Sequence, residues 1–210
     1  MIRIVVDPAQ PDPAAIERTA VALSRGGVAA IPTDTLYGLA VDPTNPNAIA
    51  RVFEIKARQP DRALPLVAAD TAQVREWIGS FGQVGERLAE RFWPGPLTLV
   101  MRAPAALSHV SDDRGTVGVR VPAHAVTRAL CASCGRPLTA TSANISGTAP
   151  TANPRELAAE LSDAVDILLD AGPTAGGPPS TIVDVTSGTL RLIRAGAIPW
   201  DEVLACAEST

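Results

Sequence analysis

Apolar and polar positions follow two rhythms along the chain, and the changes between them mark the elements. Short apolar runs bounded by turn residues predict strands at 3–6 (RIVV), 27–32 (GVAAIP), 63–69 (ALPLVAA), 96–101 (PLTLVM), 116–122 (TVGVRVP), 137–142 (PLTATS), 164–169 (AVDILL), 180–185 (STIVDV) and 189–194 (TLRLIR). Apolar positions three and four apart predict helices. The first begins at an Asp12 cap with Pro13 behind it and ends at Gly26 and Gly27; the second begins at an Asn45 cap and runs through NPNAIARVFEIKAR to Arg58. Further helices are predicted through REWIG (75–79) and VGERLAERF (84–92), from Ala123 to Cys134, at 154–161 and at 199–207. Strands interleaved with helices, with a hairpin across TSG at 186–188, predict an α/β fold with mixed strand directions. No repeat or linker interrupts the pattern, so one domain over 1–210 is expected.

Composition narrows the classes. With 46% apolar residues the chain can bury a substantial core. A formal charge of −4 and 3% aromatic residues argue against a broad basic nucleic-acid surface or base-stacking platforms. No run approaches a membrane span, and the N-terminal sequence has no signal-peptide pattern, so a cytoplasmic protein without membrane partners is expected. Cys131 and Cys134 form CASC, with Cys206 far away; the pair reads as redox-active, as half of a zinc site, or as small packed thiols, and with just two histidines to complete a four-ligand zinc the packed thiols are the expected reading. Walker A, G-x-G-x-x-G and G-x-S-x-G patterns are absent.

Three segments could carry chemistry. Ile49, Val52, Phe53 and Lys56 share one helical stripe, which puts the chain's sole lysine on the apolar face; its charge either serves a site or snorkels into water. Arg58 and Arg62 follow, as a basic loop suited to phosphate or carboxylate or as a solvated charge cluster. IPTDTLYGLAVDPTN (31–45) brings Thr33, Asp34, Thr35 and Tyr37 just beyond a strand, as a ligand loop or a turn capped by Asp34. TATSANISG (139–147) offers Ser142, Asn144 and Ser146, as an anion-binding loop or an ordinary polar turn.

Together these segments resemble the YrdC-like family, whose enzyme members are threonylcarbamoyl-AMP synthases. The resemblance rests on IPTDTLYGLAVDP, FEIKAR with its K-x-R, WPGPLTLVM, TVGVRVPAH, TSANISG with its S-x-N, PSTIVDV and LIRAGAI, in family order. It implies a twisted open mixed sheet with flanking helices and a concave ligand-binding face. It also implies a nucleotidyltransferase that joins L-threonine, bicarbonate and ATP into L-threonylcarbamoyladenylate with release of pyrophosphate, for N6-threonylcarbamoyladenosine in tRNA. Carried over by position, Lys56, Arg58, Ser142 and Asn144 are the expected catalytic residues. Thr35, Arg120, Ala140 and Ser180 are expected at threonine, and Lys56, Arg58, Arg62, Thr116, Ser142, Asn144 and Arg194 at ATP. Mg²⁺ is expected to arrive with ATP, held by phosphate oxygens with few protein ligands and no dedicated metal site. Implied partners are a downstream tRNA threonylcarbamoyl transferase complex and tRNA itself. Two features differ from longer members: ALPLVAAD lacks a histidine found there, and the chain ends soon after Trp200, as in a short single-domain form. The alternatives are a YciO-like paralogue, an RNA-binding module on the same fold, and the carbamoyl-transfer domain of hydrogenase maturation proteins, whose acylphosphatase and zinc-finger parts are missing here.

Overall fold

The computed structural model describes residues 1–57, 63–145 and 151–208. Its strands are β1 (Ile2–Val5), β2 (Ala29–Ile31), β3 (Gly38–Ala40), β4 (Leu66–Val67), β5 (Leu97–Arg102), β6 (Thr116–Arg120), β7 (Leu138–Thr139), β8 (Thr141–Ser142), β9 (Ile167–Asp170), β10 (Thr181–Asp184) and β11 (Arg191–Arg194). The helices are α1 (Pro13–Ser24), α2 (Pro46–Ile55), α3 (Thr71–Trp77), α4 (Gly82–Phe92), α5 (Ala125–Cys134), α6 (Pro154–Leu161) and α7 (Trp200–Glu208), with a 3-10 helix over Ala105–Val110. No helix among the described residues is long and apolar enough to cross a membrane.

The caps read in the sequence are formed. Asp12 accepts from Ala14 N at 3.2 Å and Asn45 from Asn47 N at 3.0 Å, each satisfying a first-turn donor that has no partner within its helix. Helix α2 stops earlier than its apolar stripe predicts. Lys56 is its C-cap, and Ala57 adopts φ 47°, a left-handed conformation that turns the chain off the helix axis.

The mixed α/β class holds, and the strands divide into two sheets. One runs β1-β9-β2-β3-β8, the other β11-β10-β5-β6-β4-β7, and both mix parallel and antiparallel pairs. The single strand expected at 137–142 is β7 and β8, one in each sheet: Thr139 pairs with Leu66 and Thr141 with Leu39. Ala140, between them, donates its N–H to Pro65 O at 2.8 Å, so the chain crosses from sheet to sheet at this residue. Strand β3 was not predicted, because three small or apolar residues carry no alternation to read.

Period-2 alternation in the six-stranded sheet separates core from cavity. Leu97, Leu99, Met101, Val117, Val119 and Val183 pack into the main apolar core. The residues between them, Thr98, Val100, Thr116, Gly118, Arg120 and Ile182, face the other way into an open cavity. The five-stranded sheet is covered on both faces, with Ala30, Leu39 and Leu168 in the main core and Ala29, Ala40 and Leu169 in a second cluster with α1 and α5. CASC belongs to that second cluster. Burial pushes the Cys131 thiol well above its ordinary value and Cys134 up to about 11, as expected for packed, inert thiols.

Candidate active site

The cavity encloses about 710 Å³ between the exposed face of the six-stranded sheet and the β3–β8 edge of the other. One wall is the turn after β8, and it is organised by Lys56. The lysine is 4% exposed, so its ammonium does not snorkel. Its Nζ donates to Ser142 O at 2.7 Å, Asn144 O at 3.1 Å and Asn144 Oδ1 at 3.1 Å, with Ser142 Oγ at 3.4 Å. Ser142 Oγ also donates to Asn144 Oδ1 at 2.6 Å. The apolar stripe of α2 carries the lysine inward, and its ammonium ties down the turn that follows β8.

The adjoining wall is the loop from Thr33 to Tyr37. Thr33 Oγ1 donates to Leu36 O at 2.7 Å and accepts from the N–H groups of Thr35 and Leu36, a hydroxyl-closed turn. Thr35 O accepts from Gly176 N and from Thr174 Oγ1. Tyr37 is a strut. Its hydroxyl donates to Gly172 O at 2.8 Å and accepts from Ala171 N, and burial pushes its pKa up to about 12.

Arg120 ends β6, is 7% exposed and lies 3.2 Å from Asp34 Oδ1 through Nη2. Its Nη1 is buried and has no hydrogen-bond partner, and neither has either oxygen of Asp34. Burial pulls the Arg120 pKa down, the Asp34 charge opposes that and Arg194 adds to it. Arg194, near enough for its charge to act on Arg120, grips Ser180, donating to its carbonyl at 2.8 Å and its hydroxyl at 3.0 Å. Gly196 is required here, since a Cβ would run into Pro179 O as the chain passes. Thr116 Oγ1 donates to Asp112 Oδ2 at 2.8 Å while Asp112 also accepts from Arg114 Nε. The only proton of the Thr116 hydroxyl is therefore engaged, and towards a ligand it accepts.

The family model described as Sua5/YciO/YrdC, Telomere recombination, matches residues 21–196. The chain belongs to this family. It is 35% identical to the threonylcarbamoyl-AMP synthase of Pyrococcus abyssi (strain GE5 / Orsay) over 182 residues, 86% of this chain and 54% of that protein. To the threonylcarbamoyl-AMP synthase of Bacillus subtilis (strain 168) it is 34% identical over 192 residues, 90% of this chain and 56% of that one. The crystal structure of P. abyssi Sua5 complexed with L-threonine matches with a TM-score of 0.88 at 33% identity, over 98% of this chain and 61% of that chain. The chain spans about half the length of these two curated relatives.

The Sua5/YciO/YrdC fold brings most of the expected residues to one cavity. Thr35, Lys56, Thr116 and Arg120 line it, as do Ala140, Ser142, Asn144, Ser180 and Arg194. Arg58, Arg62 and Ser146 lie outside the described residues. Sequence reasoning did not find Asp112 and Arg114, whose signal was the local SDDRGT turn just before β6. It also named Asp34 without its partner, because 86 positions separate that carboxylate from Arg120.

Proposed function

We propose that this chain is an L-threonylcarbamoyladenylate synthase, a nucleotidyltransferase that takes L-threonine, bicarbonate and ATP and releases pyrophosphate. The observation that supports it best is the pairing, on one cavity, of the Lys56-held turn at Ser142 and Asn144 with a buried guanidinium whose Nη1 has no hydrogen-bond partner. In this reading Arg120 takes the threonine carboxylate, with Thr35, Ala140 and Ser180 around the amino acid. The threonine amine attacks the bicarbonate carbon and water leaves, giving a carbamate whose oxygen attacks the α-phosphorus of ATP, and pyrophosphate leaves with the bridging oxygen. The enzyme supplies position and charge and forms no covalent intermediate.

Ser142 and Asn144, fixed by Lys56, receive the phosphates together with Arg194, Arg58 and Arg62. Thr116, with its hydroxyl proton held by Asp112, accepts a hydrogen bond from the nucleoside. Mg²⁺ comes as Mg-ATP. Asp112 is the sole carboxylate on the cavity wall among the described residues, and its oxygens already accept from Thr116 and Arg114, so phosphate oxygens would supply most of the ligands to the ion. The product is an activated carbamate for transfer to tRNA by a downstream transferase complex in the cytoplasm, with 1–210 acting as one domain. Pyrophosphate release measured with threonine and bicarbonate supplied separately and together tests the reading. Release requires both, and equal ATP turnover without threonine overturns it.

A further inference from the structure

Three arginines line the cavity among the described residues, and they differ in their counterions. Arg114 is paired with Asp112 at 3.1 Å and stands 3.7 Å from Asp184. Arg120 is paired with Asp34 at 3.2 Å. Arg194 is held by Ser180, and no carboxylate lies within ion-pair distance of it among the described residues. One cavity therefore contains a bare cation at one place and a compensated, deeply buried one at another.

Asp34 is not on the cavity wall, although Thr33 and Thr35 on either side of it are. Its side chain is 14% exposed, and its charge sits behind Arg120. The neighbouring His124 does not neutralise it, because burial holds that imidazole below its ordinary pKa against the pull of Asp34. A bare anion that approaches Arg120 Nη1 meets a guanidinium whose field is largely cancelled from behind. A zwitterion is compensated for that cancellation: its carboxylate takes the unpartnered N–H, and what that carboxylate loses its ammonium regains in the field of Asp34.

We propose that Asp34 is a specificity-determining positioning residue: by neutralising Arg120 from behind, it makes that guanidinium accept an α-amino acid zwitterion and reject bare anions, which leaves polyphosphate to the uncompensated Arg194. The inference rests on the threonine and ATP reading given above and adds the device that keeps the two ligands apart. Asp34 acts through Arg120 and has no catalytic step of its own.

The test compares L-threonine with 2,3-dihydroxybutyrate, in which a hydroxyl replaces the ammonium, by calorimetric titration of the full chain. The wild type prefers threonine by about tenfold or more, the scale of a charge-assisted hydrogen bond. Asp34→Asn keeps the shape and removes the charge, so the hydroxy acid binds more tightly and the preference shrinks to about threefold or less. A merely structural defect weakens both ligands alike and leaves the ratio where it was, which overturns the proposal, as does equal binding of the two ligands to the wild type. If Asp34→Asn does not fold, the salt dependence of the wild type decides. Threonine affinity changes by less than about twofold as screening shortens the Debye length from roughly 14 to 4 Å, and a tenfold loss overturns the proposal. Threonine binding without pyrophosphate release removes the synthase reading alone, and absence of threonine binding removes both.

Discussion

Replacing Lys56 by methionine keeps the unbranched stem against the core and deletes the ammonium. Among the described residues four oxygens then lose a donor: Ser142 O, Ser142 Oγ, Asn144 O and Asn144 Oδ1, at 2.7, 3.4, 3.1 and 3.1 Å from Nζ. Hydrogen bonds to a charged group contribute about 1.5–3 kcal/mol each, so the three N–H donors together contribute about 4.5–9 kcal/mol. Removing a buried ammonium also removes its desolvation penalty of several kcal/mol. The net destabilisation expected is about 2–4 kcal/mol, which for a chain of this size lowers the thermal midpoint by about 4–16 °C. Lys56→Arg tests shape at constant charge, because a planar fork does not converge on oxygens gathered around a point. Thermal unfolding followed by circular dichroism reads stability, and pyrophosphate release reads function. Both variants should lose both. A methionine variant that melts within about 2 °C of the wild type would falsify the account of the turn as lysine-held, and an arginine variant with full turnover would remove the requirement for an ammonium.

Arg120→Lys should raise the threonine KM more than the ATP KM, since lysine lacks the second parallel N–H, and steady-state kinetics showing the reverse reassigns Arg120 to phosphate. Ala57→Gly should stabilise the fold by about 0.5–1 kcal/mol in urea titration, because φ 47° is strained for alanine and free for glycine; destabilisation would mean that the alanine methyl packs usefully. Iodoacetamide at pH 8 should leave Cys131 unmodified in the native protein and label it after unfolding, read by mass spectrometry; rapid native labelling contradicts its burial. Burial raises the Asp112 carboxyl, but hydrogen bonds from Thr116 and Arg114 outweigh that and leave it below its ordinary value. A depressed folded-state pKa stabilises the fold above the unfolded value of about 3.9 and is lost as pH falls through the folded one. Asp112→Asn should accordingly flatten the fall of the thermal midpoint below about pH 4, and unchanged acid sensitivity sinks this account.

Local chemistry made much of the fold readable in advance. Asp12 and Asn45 cap their helices because their side chains reach first-turn N–H groups two residues on, an interaction complete within a few positions. Alternation in TVGVR places Arg120 opposite Val119, and the cavity and core lie on those opposite faces. The unreadable parts depend on distance along the chain. Nothing near Thr139 announces that its partners are Leu66 on one side and the backbone of Val41 on the other, so the break at Ala140 could not be seen. Asp34 and Arg120 each looked sensible alone, and their pairing arises only when two sheets meet at one cavity. Strand β3 is three residues with every side chain buried, and a segment buried on both faces has no polar phase to read.

The lone lysine shows how acceptor geometry can explain an oddity of composition. Seventeen of the eighteen basic residues are arginine, and many of them meet partners that suit a planar fork. Arg51 reaches both oxygens of Asp166, and Arg75 both oxygens of Glu86. Such acceptors lie side by side, and the parallel N–H groups of a guanidinium meet them together. The oxygens around Lys56 are arranged differently. Among the described residues two are backbone carbonyls, one is an amide oxygen and one a hydroxyl, from Ser142 and Asn144, and they surround a single point. A compact head with three donors on a flexible stem can fill that point, and a wider plane would push the turn away. A chain biased towards arginine nearly everywhere therefore keeps a lysine at the position where the acceptors converge, and that position fixes the wall of the cavity.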